Sequence, residues 1–151
     1  MSNRFEDADE ATVNMVRTVI QEHFPQLINA NFSVVFDNKK RMKGGAFTLG
    51  RMKKTNETER LLSATNVMED GFDYILFLDR VVFTAAEDSD KIRLIRHELQ
   101  HCQVDMEKDQ PYLLRDHEVT DFYEEIEHNK DDPRWGERLA TMAESIYSTD
   151  D

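Results

Sequence analysis

A single cysteine, Cys102, in a chain of 151 residues excludes an intramolecular disulfide framework and a multi-cysteine zinc ribbon. Basic charge is scarce as well. Nineteen Lys and Arg face 31 Asp and Glu, a net charge of −12, which excludes a protein whose whole surface grips nucleic-acid phosphates. No apolar run approaches the roughly 20 residues of a bilayer-spanning helix, and Met1–Glu10 carries the wrong charge for a secretory leader. The only adjacent glycine pair, Gly44-Gly45, is not followed by a helical pattern, so no phosphate-cradling loop is expected. There are no repeats, linkers or low-complexity stretches beyond the acidic ends. The expectation is one soluble, cytoplasmic domain spanning residues 1–151, large enough for a single hydrophobic core.

Periodicity supplies the elements. Val13, Val16, Ile20 and Phe24 recur at helical spacing over Ala11–Phe24, with Asp7 or Asp9 to cap the start and Pro25 to end it. Asn31–Asp37 reads as a strand, and Ala46–Lys54 as its hairpin partner across Gly44-Gly45. Tyr74–Phe83 is the strongest strand, bent near Asp79. Asp88–Glu107 reads as a long helix capped by Ser89, and a second runs from about Asp116 to His128. A third begins at Asp132-Pro133, with Trp135, Leu139, Met142 and Ile146 along one side. The order implies an α+β fold, helices packed on a small antiparallel sheet.

The chemistry concentrates at His97-Glu98-Leu99-Gln100-His101, an HExxH pattern. On a helix, residues four apart stand one above the other, so two imidazoles can share one ion while the intervening glutamate reaches a water beside it. At about 100° per residue the helix has three sectors instead of the two that a surface helix needs. Ile92, Ile95, Leu99, Cys102 and Met106 form an apolar sector, and Arg93, Arg96, Gln100 and Gln103 one facing water. His97, Glu98, His101 and Asp105, with Leu94, form a third, the wall of a cleft.

A catalytic zinc needs a third protein ligand and an open position. His117 is the next histidine, and with Asp121, Glu124 and His128 it forms a polar stripe on the second helix. His117 is the candidate third ligand, with Glu118 as its competitor. Asp121 and Asp105, each one turn after a histidine, are placed to hold an imidazole by its second nitrogen or simply to be solvated. Cys102 lies on the apolar side and reads as a small core residue.

The run LIRHELQHC, a proline break and LLRDHEVTDFYEEI together resemble the phage metallopeptidase family, and GGAFTLGRMKK and DYILFLD fit its pattern, so the likeness spans residues 40–136. That family is akin to zincin-type peptidases and distantly to SprT-like proteases. The resemblance implies a zincin-like fold, Zn2+ as cofactor, His97, His101 and His117 as metal ligands and Glu98 as catalytic base. It implies a protein or peptide substrate, paired along an edge strand at Tyr74–Asp79. His128, Tyr112 and Tyr123 are candidate donors to the oxyanion.

Two other readings compete. Lys39–Lys54 holds seven Lys and Arg and no acid, leaving −19 on the rest of the chain. It is either a lysine-protected hairpin or a footprint for nucleic acid or another acidic partner. The second is a non-catalytic metal-binding protein that sequesters a host or nucleic-acid-associated partner. Glu98, which is not needed merely to hold an ion, favours the peptidase.

Overall fold

The structure, a computed structural model, describes residues 3–115 and 123–148. In chain order the elements are β1 (Phe5–Asp7), α1 (Glu10–His23), β2 (Phe32–Asp37), β3 (Met42–Lys43), β4 (Ala46–Phe47) and β5 (Gly50–Lys54). There follow α2 (Glu57–Ser63), β6 (Tyr74–Asp79), α3 (Arg80–Ala85), α4 (Asp88–Leu99), β7 (Cys102–Val104), β8 (Tyr112–Leu114), α5 (Tyr123–His128) and α6 (Trp135–Tyr147). The expected α+β class holds. Among the described residues no helix is long and apolar enough to cross a membrane.

The main sheet has the order β1-β2-β6-β5 and is mixed, not antiparallel as expected. β2 and β6 run parallel, Phe32 opposite Tyr74 and Asp37 opposite Asp79, while β1 and β5 pair antiparallel at the two edges. Asn31–Asp37 and Ala46–Lys54 therefore do not form a hairpin, because β6 lies between them. Gly44 and Gly45, both at positive φ, turn only the short β3–β4 ribbon. The choice follows from burial. Tyr74, Leu76 and Leu78 are completely buried on alternate positions of β6, which gives that strand an inner place with neighbours on both sides. β6 is consequently not the edge strand expected from the resemblance; on this side of the sheet the edge is β5.

The strand expected over Tyr74–Phe83 stops at Asp79, and Arg80–Phe83 are helical instead: Asp79 ends β6 by accepting the Val82 amide and so caps α3. Asp9 caps α1 through the Thr12 amide. α4 begins one residue before the expected cap Ser89, with Glu87 at its N-cap, and it stops at Leu99, well short of Glu107. Gln100 keeps helical dihedrals and the His101 amide bonds the Glu98 carbonyl, tightening the last turn before the chain leaves as β7. Cys102 turns inward and Gln103 outward there, a strand's alternation that overrides the continuing helical pattern. Cys102 is buried as expected, but Met106, expected in the core, is 76% exposed in the loop between β7 and β8. Of the second expected helix, the last part is α5; residues 116–122 lie outside the described residues. The third starts at Trp135 with Arg134 at its N-cap, two residues beyond Pro133.

Leu27, Tyr74, Leu76, Leu78, Ile95 and Leu99 form the centre of one core between the sheet, α1 and α4. The Tyr74 hydroxyl donates to the Leu113 carbonyl at 2.8 Å, which fastens the β7–β8 hairpin to the sheet. Burial pushes the Tyr74 pKa upward, so the hydroxyl stays a donor.

Candidate active site

His97 and His101 sit one turn apart at the end of α4, ring centroids 5.6 Å from each other. With Glu98 they form a group whose ligand atoms all lie within 4.8 Å of one another. Although α4 stops at Leu99, the helical conformation of Gln100 is enough to bring the second imidazole above the first.

The environment of His101 sets its tautomer. Its Nδ1 lies 2.7 Å from the Arg115 carbonyl oxygen, an atom that can only accept, so Nδ1 carries the hydrogen, and in the neutral ring Nε2 is the ligand atom. Metal-ligating histidines are commonly oriented in this way. Asp105 takes no part in orienting the ring, because the helix has ended and its carboxylate instead accepts the Glu107 amide. Arg115 is fixed in turn, its amide bonding the His101 carbonyl and its Nε the Gln100 carbonyl, both at 2.7 Å. Arg115 Nη2 also donates to the Gln100 side-chain oxygen, and the Gln100 amide nitrogen donates to Glu125 Oε2 at 3.0 Å. Arg96 closes the network by donating to Glu125 Oε1 and Asn129 Oδ1.

Arg96 and Gln100 are therefore buried, not water-facing as their helical sector implied. α5 covers that side of α4 and brings Glu125, completely enclosed, to meet them. Only a partner helix makes such a sector polar and dry at once, and nothing in the local sequence announces that helix's position.

Glu98 is 6% exposed and packs against β5. A Cβ on Gly50 would stand 3.0 Å from Glu98 Cγ and 3.2 Å from its Oε1, so the missing side chain at position 50 makes room for the carboxylate. No local pattern signals this pairing, which depends on how β5 crosses α4.

His97, Glu98 and His101 line an open cleft of about 1070 Å³. One wall is Arg41 to Lys43 and Phe47 to Met52, the other the start of α6, with Trp135 edge-on to His97 at 6.5 Å between centroids. That second wall is anchored to α4, where buried Asp90 receives Arg138 and Arg93. The Arg138 hydrogen bonds, opposed by burial, hold the Asp90 carboxyl below its ordinary range. Tyr112 and His128, expected as oxyanion donors, do not line the cleft; Tyr112 packs on Tyr74 and His128 on His23. The Cys102 thiol is enclosed, and burial followed by the charge of Glu98 raises its pKa, as suits a core residue. His117, Glu118 and Asp121 lie outside the described residues, as does the Tyr123 side chain.

Two imidazoles and a carboxylate converging in an open cleft form a group able to hold a metal ion, and imidazole nitrogen suits the divalent transition metals. The chain matches, over residues 3–147, the family described as "Putative phage metallopeptidase", and it belongs to that family. The resemblance carried by the HELQH run is thereby borne out. No curated protein and no solved structure matches the chain.

Proposed function

We propose that the protein is a zinc-dependent peptidase of the HExxH type, with His97 and His101 as ligands and Glu98 as general base. The observation that carries this reading is the convergence of the three side chains in the cleft, with the His101 tautomer set by the Arg115 carbonyl. Zinc bound there would supply Lewis-acid polarisation of the scissile carbonyl and a water acidified to a pKa near 7. Glu98 takes a proton from the attacking water and passes it to the leaving amine. Its enclosure between α4 and Gly50 holds the carboxylate beside the two imidazoles.

The proposed third ligand is His117. Arg115 is bonded to His101 from both its amide and its carbonyl. His117 follows Arg115 by two residues, a span of at most roughly 7 Å. Glu118, one residue further along, is the competing candidate. The open cleft favours turnover over the sequestering alternative, because a structural zinc is closed by four protein ligands and offers no such space. The substrate would lie extended along β5, whose outer edge has no partner strand in the main sheet among the described residues and which passes Glu98 at Gly50.

Three variants test the reading. His97→Ala and His101→Ala are each expected to weaken zinc binding by at least about 100-fold, measured by competition with a chromophoric chelator. Unchanged stoichiometric zinc in both would remove the assignment. Gly50→Ala is expected to lower kcat about 10- to 100-fold, because a displacement of a few tenths of an ångström at the base is costly to a proton transfer. Its zinc content should be that of the wild type; undiminished kcat would show that the Gly50–Glu98 contact does not matter to the reaction.

A further inference from the structure

The basic segment acquires a role once folded. Of its cations, Arg41, Lys43 and Arg51 line the cleft that holds His97 and Glu98. Their nearest anion is already committed: Asp37 receives Arg4 Nε at 3.0 Å, Arg4 Nη2 at 3.2 Å and the Lys39 amide at 3.1 Å, with Arg41 Nε further off at 3.7 Å. Asp79 is committed to Val82 and Tyr147. Among the described residues the Nε atoms of Arg41 and Arg51 are shut off from water and have no hydrogen-bond partner, and the Arg51 guanidinium lies 4.0 Å above the Phe77 ring. Burial first, then the nearby Arg41 charge, hold the Arg51 pKa below its ordinary value. On the opposite wall Glu137 is engaged by Arg134. Among the described residues, Asp37 is thus shared between Arg4, Arg41 and the Lys39 amide, and the β5 side of the cleft carries a surplus of positive charge in a protein of net charge −12.

Strand geometry says where that charge would be felt. Gly50 and Met52 face α4, so Arg51 faces the other side of β5. A peptide paired with the β5 edge would put one residue level with Gly50, beside Glu98. Its neighbour, level with Arg51, would turn its side chain the same way as Arg51, with Cβ atoms roughly 5 Å apart.

We propose that the protein selects peptides with Asp or Glu directly beside the scissile bond, the carboxylate meeting Arg51 and Arg41 on the face of β5 turned away from Glu98, with Lys43 at the rim. The proposal rests on the peptidase reading and on pairing along β5. A planar guanidinium is suited to a carboxylate, and two of them beside a partly buried strand attract it more than they would in open water.

The test is cleavage of a random-sequence peptide library by the zinc-loaded full chain, with the cut sites read by mass spectrometry. The expected result is enrichment of Asp and Glu at one position adjoining the cut, about tenfold in kcat/KM over Ala in defined peptides and declining as salt rises. Arg41→Glu should transfer the preference towards Lys and Arg. Lys43→Glu, at an exposed position that leaves packing undisturbed, should weaken the preference even if the Arg41 variant folds poorly. Cleavage without acidic preference, or a preference unmoved by Lys43→Glu, overturns this proposal and leaves the peptidase reading standing. Absence of any cut overturns both. A single-stranded oligonucleotide that blocks cleavage while the library shows no acidic preference would assign the basic wall to nucleic acid instead.

Discussion

Glu98→Gln is expected to abolish peptide hydrolysis, lowering kcat by about 10³-fold or more, while the protein keeps one equivalent of zinc. Glutamine preserves the shape that fits against Gly50, so the cleft and the imidazole pair should be undisturbed. What is lost is a group able to accept a proton from water and deliver it to the amine, typically worth about 10²- to 10⁴-fold. The same variant separates two roles that geometry allows. The carboxylate lies within 4.8 Å of both imidazole donors and could itself be a ligand. As a ligand its replacement would release much of the zinc; as a base it would leave the metal in place and remove only turnover. Elemental analysis and a hydrolysis assay on one sample distinguish the two.

Glu125→Ala is expected to be the most destabilising single change remote from the cleft. Glu125 is wholly enclosed, with Arg96 on one oxygen and Gln100 on the other. Among the described residues, truncation leaves a buried guanidinium with Asn129 alone to receive it, and it removes the carboxylate acceptor of the Gln100 side-chain amide. Removing one partner of a buried ion pair costs about 3–5 kcal/mol. In a domain of this size that corresponds to a fall of roughly 10 °C in Tm, measurable by calorimetry. The change should also reach the metal, since Gln100 links Glu125 to Arg115, whose carbonyl orients His101. Zinc affinity is expected to fall about tenfold at temperatures where the variant is folded. Stability within about 1 kcal/mol of the wild type would show that the network does not hold α5 to α4.

The divided legibility of the sequence follows from these contacts. The HExxH spacing, the apolar sides of α1 and α6 and the strand character of β2 and of Tyr74–Asp79 are local patterns, and they appear where periodicity puts them, whereas Arg80–Phe83, expected to continue the strand, are helical. The sheet order is not local. Parallel pairing of β2 with β6 is decided by Tyr74, Leu76 and Leu78 needing cover on both sides, and no hairpin signal between residues 31 and 54 could reveal it. The end of α4 is hidden for a related reason: helical and strand patterns overlap at Cys102–Val104, and pairing with Tyr112–Leu114 settles the competition. Gly50 and the buried Arg96–Glu125 pair belong to contacts between elements distant in sequence. The basic run is plain in the composition, but its position on a cleft wall requires the fold.

Whether His97 and His101 share one metal ion can be seen by anomalous diffraction at the zinc edge, from crystals of the zinc-loaded protein. One strong peak is expected within about 2.1 Å of an imidazole nitrogen of each histidine, with an open position towards the cleft. A zinc-saturated crystal with no peak between the two rings, or with zinc bound only elsewhere, would refute the shared ion and the hydrolytic reading with it.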